Sequence, residues 1–169
     1  MCGIAGFCSL STRSIDNALP LLNAMQESIA HRGPDDSGVW ASKDLTVGLA
    51  SRRLAIIDVS PCGHQPMVDV YDQLVISFNG EIYNFQEIKQ ELIVLGYVFR
   101  STGDTEVILY AYHAWGIKFL DKLDGMFAIA LFDQKNNELH LHAGRFHYSN
   151  LQGVCRRHHV CLDTMKLAV

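Results

Sequence analysis

Apolar and polar positions follow two different periods along this 169-residue chain, and the switches between them mark its elements. From Cys2 to Phe7 small and apolar residues alternate, which predicts a strand buried from its first residue. Between Asp16 and Ala30, Leu19, Leu22, Met25 and Ile29 recur at helical spacing, with Asp16 near the start. Gly33 and Pro34 break that pattern, so 31–38 is predicted to be a structured loop. Leu45 to Leu49 and Leu54 to Ile57 predict paired strands. The stretch 58–67, with Pro61, Gly63 and Pro66, predicts a second loop. Leu74 to Phe78 is a further strand that runs straight into Asn79-Gly80-Glu81-Ile82-Tyr83-Asn84. An amphipathic helix is predicted over Phe85 to Leu95, stopped at Gly96, with a short strand at Tyr97 to Arg100. Thr102-Gly103-Asp104 predicts the cap of a helix from Thr105 to Trp115, also ended by glycine. The apolar run Gly125 to Phe132 predicts a buried strand, turned by 133–137 into a partner beginning at Glu138.

Strands dominate both ends and two helices occupy the middle, which predicts layered sheets with helices packed outside, an α+β fold. From about His142 the alternation stops, and Cys155 to Cys161 is basic and histidine-rich. A domain over 1–141 is therefore expected, followed by an atypical tail over 142–169. The second sheet is expected to lack its last strands. Composition changes little in this picture: 49% apolar and 19% charged residues are ordinary for a globular domain. The net charge of −4 with no basic run argues against nucleic acid or an anionic membrane as partner. No apolar segment approaches the roughly 20 residues that span a bilayer. The first residues lack the charged and apolar regions of a signal peptide. Five cysteines, at 2, 8, 62, 155 and 161, form no disulfide framework, so a cytoplasmic location with reduced thiols is expected.

The chemistry-bearing residues begin at Cys2. Removal of Met1 would leave a thiol and a free α-amine on one residue, a nucleophile with its own base. A cysteine at position 2 is otherwise an incidental residue. Asn79-Gly80 stands where a strand ends, and a side-chain amide with a glycine N–H can hold an oxyanion. The same dipeptide is also a common turn. An arginine of Arg52-Arg53 can grip a carboxylate through two parallel hydrogen bonds, or simply solvate a strand end. Asp104 can cap its helix, bind an ammonium group, or do both if its second oxygen faces a cavity. His31 and His64 lie in Gly/Pro loops and are expected to fix those loops by hydrogen bonds. Cys155, His158, His159 and Cys161 match no established zinc spacing. No phosphate-binding glycine loop is present, so nucleotide binding has no support.

Seven strings occur together and in order: MCGIAGF at 1–7, HRGPDDSG at 31–38, RRLAIID at 52–58, GHQPM at 63–67, FNGEIYN at 78–84, GDTEVIL at 103–109 and GMFAIALFD at 125–133. This set resembles the glutamine-hydrolysing domain of asparagine synthetase, a class II, N-terminal-nucleophile glutamine amidotransferase. The resemblance implies a four-layer α-β-β-α sandwich of two antiparallel sheets. It implies Cys2 as nucleophile, with its α-amine as base, and Asn79 and Gly80 as the oxyanion hole. It also implies Arg53 as the clamp on glutamine's α-carboxylate and Asp104 and Glu81 around its α-ammonium. Leu54 and Ile56 would line the pocket through their backbone. Glutamine is the implied partner, and no cofactor is implied for its hydrolysis.

The family's synthetase domain carries a Ser-Gly-Gly-x-Asp-Ser pyrophosphate loop, and this sequence contains none. ATP and Mg would belong to that domain, supplied by a separate synthetase domain, with a homodimer as a further possible arrangement. The family strand Ala-Arg-Asp-x-x-Gly-x-x-Pro-Leu is replaced here by Leu-His-Leu-His-Ala-Gly-Arg-Phe-His, as an out-of-frame or truncated reading would produce. Three functions remain open on the sequence. These are an ammonia-supplying glutaminase domain, an inert fragment with intact site residues, and a related amidotransferase serving a sugar or peptide acceptor.

Overall fold

The computed structural model describes residues 2–9, 14–144 and 152–156. Strands β1 (Gly3–Cys8), β2 (Asp36–Ala41) and β3 (Val47–Arg53) form one antiparallel sheet in the order β1-β3-β2. A second antiparallel sheet runs β4-β5-β6-β7-β8. Its strands are β4 (Met67–Val68), β5 (Leu74–Ile82), β6 (Gly125–Asp133), β7 (Glu138–Ala143) and β8 (Gln152–Arg156). Helix α1 (Ala18–Ser28) belongs to the first sheet, while α2 (Phe85–Val94) and α3 (Asp104–Trp115) cover the second.

Strand period assembles these elements into four layers, because successive side chains point to opposite faces. Val47 and Leu49 of β3 meet Val75 of β5 and Ala128, Ala130 and Phe132 of β6 between the sheets. Ala50, of the opposite parity, packs with Phe7, Ala18 and Leu22 under α1. Ile76, Phe78, Ile129 and Leu131 point the other way, onto Ile88, Leu92 and Ile108 of α2 and α3. β6 is apolar on both faces because both faces are buried, which explains why its sequence is a run instead of an alternation. The expected α-β-β-α sandwich of two antiparallel sheets is what forms.

Several boundaries differ from the sequence expectation, each for a local reason. Leu45 to Leu49 and Leu54 to Ile57 are not two strands. β3 is one strand over Val47–Arg53, and 54–57 leaves the sheet. β2 was hidden inside the presumed 31–38 loop and beyond it, because its residues are only half buried and do not alternate. β5 continues four residues past Phe78 to Ile82, so Asn79-Gly80 lies within a strand and is not a turn. Tyr97 to Arg100 is not a strand: Tyr97 N–H returns to Leu92 O (3.0 Å), and Glu106 accepts from Arg100 N–H. The first helix spans only 18–28. Its Leu19, expected on the apolar stripe, is 51% exposed, whereas Ala18 and Leu22 are buried. α3 begins at Asp104 with Gly103 at the N-cap, so Asp104 stands in the first helical turn, where its carboxylate bonds the backbone of Asp104 and Thr105. Gly96 and Gly116 do end their helices, at φ 95° and 56°. Past residue 141, where the sequence pattern fails, β7 continues to Ala143 and β8 pairs with it. His158, His159 and Cys161 lie outside the described residues. Among the described residues, no helix is long and apolar enough to cross a membrane.

Candidate active site

β1 and β3 pair with Gly3 opposite Arg52, which brings the residue before β1 against the residues that leave β3. Leu54 N–H there donates to Cys2 Sγ at 3.4 Å, and the Cys2 thiol lies 3.7 Å from Leu54 O. Arg32 Nε donates to Cys2 O at 3.3 Å, so the backbone of Cys2 is held from a second side. Neighbouring arginines diverge because strand parity points them apart. Arg52 pairs with Glu27 and donates to Gln26 O on α1. Arg53 turns to the other side, where its Nη2 donates to the carbonyl oxygen of Asp58.

The sulfur faces a cavity of about 320 Å³ between the ends of the two sheets, within the range of small-molecule sites. Every one of the eight site residues read from the sequence lines it. Cys2, Arg53, Leu54 and Ile56 come from the first sheet and the loop that follows it. Asn79, Gly80 and Glu81 come from β5, and Asp104 from the start of α3. Asn79 shares strand parity with Val75 and Ser77, which face the other sheet, so it stands where the intersheet layer opens into the cavity. Ser77 Oγ accepts from Ser51 Oγ at 2.9 Å just behind it, tying the two sheets together. Gly80 has φ 152°, and a Cβ there would overlap the Met126 carbonyl oxygen. Only glycine fits that strand position. Ile56 is 72% exposed at the cavity rim, a consequence of leaving the sheet at Arg53.

Asp104 is buried, and its Oδ2 accepts from Ile82 N–H at 3.1 Å, joining α3 to β5. Burial raises its pKa above the usual carboxylate value. Hydrogen bonds from the backbone oppose the shift, and the nearby charge of Glu81 adds to it. The cavity lining thus carries one guanidinium, that of Arg53, and three carboxylates, those of Asp58, Glu81 and Asp104.

Two further residues hold this arrangement, and the sequence reading assigned neither a role. Asp58 is buried, with Oδ1 accepting from Ser60 N–H (2.8 Å) and Ser60 Oγ (2.6 Å) and Oδ2 from Thr102 N–H (2.9 Å). Burial alone would raise its pKa, but these bonds outweigh burial and hold it at about 2. Gln65 Oε1 accepts from Phe78 N–H (2.6 Å), and its Nε2 donates to Thr105 Oγ1 (3.3 Å). The sequence signals for them were a polar residue in a Gly/Pro loop and a place in the ordered strings at 52–58 and 63–67. The 31–38 loop is likewise a brace: Asp35 N–H donates to Arg53 O (3.1 Å), and Asp35 Oδ2 accepts from Ala55 N–H (2.9 Å). His64 Nδ1 lies 2.9 Å from Asp36 Oδ2, the loop-fixing bond expected of it.

A family model describing the glutamine amidotransferase domain matches residues 1–151. The chain is 40% identical over 147 residues to glutamine-hydrolysing asparagine synthetase 2 of Bacillus subtilis, covering 86% of this chain and 19% of that protein. It is 37% identical over 137 residues to the glutamine-hydrolysing asparagine synthetase 1 of Arabidopsis thaliana, covering 81% of this chain and 22% of the relative. The chain thus spans about a fifth of the length of these relatives. The glutamine phosphoribosylpyrophosphate amidotransferase of Bacillus subtilis superposes with a TM-score of 0.67 at 18% identity. That superposition covers 84% of this chain and 37% of the other, and it shows that the two share a fold. With seven ordered motifs, a matching sandwich and a family model over nine-tenths of its length, this chain belongs to the glutamine amidotransferase domain family.

Proposed function

We propose that this domain hydrolyses glutamine to glutamate and ammonia through a thioester on Cys2, as the ammonia-supplying part of a glutamine-dependent asparagine synthetase. The observation that carries this reading is the convergence of Cys2, Asn79, Gly80, Arg53 and Asp104 on one cavity. Glutamine is a zwitterion at one end and a neutral amide at the other. Arg53 takes the α-carboxylate as a two-pronged donor, while Asp104 and Glu81 take the α-ammonium. Leu54 and Ile56 bound the space along which the side chain lies. With its head fixed, the δ-carboxamide is delivered to the sulfur as an effectively unimolecular reactant.

Once Met1 is removed, the α-amine of Cys2 takes the thiol proton and the sulfur attacks the δ-carbon. A C–S bond forms, and the carbonyl oxygen becomes an oxyanion received by the Asn79 amide and the Gly80 N–H. Collapse breaks the C–N bond, and the proton held by the amine leaves with ammonia. Water then adds to the thioester carbon, the C–S bond breaks, and glutamate is released with the thiol restored. Nothing in these steps calls for a metal or cofactor. ATP and Mg belong to aspartate activation in a synthetase part, which acts as partner to this domain. Cys2 and Cys62 carry thiols outside any disulfide, which fits a cytoplasmic setting.

The test is ammonia and glutamate release from glutamine by the purified chain, with Cys2→Ala as control. Stoichiometric glutamate and ammonia, abolished in Cys2→Ala, is the expected result. A soluble, folded chain that releases neither would favour the inert-fragment reading. Arg53→Ala is expected to raise KM for glutamine far more than it lowers kcat, and an unchanged KM removes the clamp assignment.

A further inference from the structure

We propose that Asp58 is a positioning residue that fixes the spacing between the cationic and anionic halves of the glutamine head site, a role that rests on the glutamine reading above. Its two ends reach the two halves separately. The backbone carbonyl of Asp58 receives the Arg53 guanidinium, which also packs close to Gly63, where a Cβ would overlap it. The carboxylate of Asp58 receives Thr102 N–H at 2.9 Å, two residues before Asp104. One residue therefore links the carrier of the positive charge to the turn that launches the carrier of the negative charge. The Thr102 side chain also bonds the same carboxylate, so Asp58 joins the 53–60 segment to the 101–104 turn at one place.

The geometry requires a carboxylate. Oδ1 is committed to Ser60 N–H and Ser60 Oγ, and Oδ2 to Thr102 N–H. Asparagine has a single carbonyl oxygen, so it can accept at one of these places and must present its own N–H₂ to a donor at the other. Either orientation releases Ser60 or Thr102. The Thr102 bond is the one that ties this segment to the turn before Asp104, and its loss lets the two clamps drift apart. Cys2, held by Leu54 and Arg32 on the far side, is not in contact with Asp58 in any described hydrogen bond. The defect should therefore appear in recognition of the zwitterion and not in the reactivity of the sulfur.

The experiment compares two reagents for Cys2 on the full chain. One is a glutamine-like diazoketone that carries the α-amino-acid head, and the other is iodoacetamide, which has none. In Asp58→Asn the diazoketone rate constant is expected to fall about tenfold, the factor of one hydrogen bond to a charged group, with the iodoacetamide rate unchanged. KM for glutamine is expected to rise by about the same factor, with kcat falling less. Ser60→Ala removes one donor with little change of volume, and about a threefold loss of the same selectivity is expected there. That variant keeps the test available if Asp58→Asn does not fold. Equal losses for both reagents, or no loss in either variant, would overturn the role of Asp58 while leaving the glutaminase reading intact. A wild-type Cys2 that reacts no faster with the diazoketone and is not protected by glutamine would instead overturn that reading, and this one with it.

Discussion

Asp104 pairs the binding role proposed for it with a cost to folding. Its raised pKa means that the folded protein holds the proton more tightly than the unfolded chain does. Stability linked to this group is present below the unfolded value of 3.8 and is lost as pH rises through the folded value. Asp104→Asn keeps an oxygen for Ile82 N–H, so it is expected to raise the melting temperature at pH 7 and leave it unchanged near pH 3. KM for glutamine should rise at the same time, since the ammonium loses its counter-charge. In the wild type, KM is expected to climb as pH falls through the raised pKa, earlier than an ordinary carboxylate allows. A pH-rate series on both proteins reads each effect. Gly80→Ala tests a different constraint. The positive φ and the Met126 carbonyl leave no place for a methyl group, so β5 must shift at the oxyanion donors. About 1–3 kcal/mol of stability should be lost in urea titration, with kcat reduced at least tenfold.

At the scale of elements, β7 carries a liability that its neighbours do not. His140 and His142 share one face, with rings 6.2 Å apart, on the side turned toward the helices. His140 meets Tyr112 on α3, but both nitrogens of His142 are buried without a hydrogen-bond partner among the described residues. Burial first, and the proximity of His140 second, lower the His142 pKa to about 4. A histidine neutral in the fold and protonated when unfolded supports stability above pH 6.5, and that support is lost as pH falls to about 4. His142→Phe is expected to remove this acid sensitivity, on the order of 2–3 kcal/mol between pH 7 and 4, as read by thermal melts across that range. Wild type and variant losing stability in parallel would contradict the assignment. The apolar partner of His142 across the ladder is Ile129 of β6.

For the whole molecule, three apolar layers share two sheets, so no layer can be lost while its neighbours persist. Val75 and Ile76 of β5 face opposite cores from adjacent positions, and Ile129 and Ala130 of β6 do the same. The two tryptophans report on different sides of this stack: Trp40 packs on Phe132, and Trp115 lies beneath Lys122. Urea unfolding of Trp40→Phe and Trp115→Phe is expected to give one midpoint, coincident with far-UV circular dichroism. Ile129→Ala, at a fully buried site under the helices, is expected to lower the stability seen by both tryptophans alike, by about 2–5 kcal/mol. Separate midpoints would mean that the first sheet and α1 form an independent unit.

The period of apolar residues determined by itself which segments became strands and helices, because burial on one or two faces writes itself directly into residue order. It made the core of β5, β6, α2 and α3 legible, along with the class of the sandwich. The ordered motifs made Cys2, Arg53, Asn79, Gly80 and Asp104 legible as residues that meet at one cavity. Tertiary structure alone decided the rest. That Asn79-Gly80 continues a strand depends on pairing with Phe127 and Ala128, contacts some fifty residues distant. The tasks of Asp58 and Gln65 depend on hydrogen bonds to Thr102, Phe78 and Thr105, partners 13 to 44 residues away, which no local pattern encodes. Periodicity records what a residue avoids, which is water. Only the folded chain shows which distant donor a buried acceptor meets.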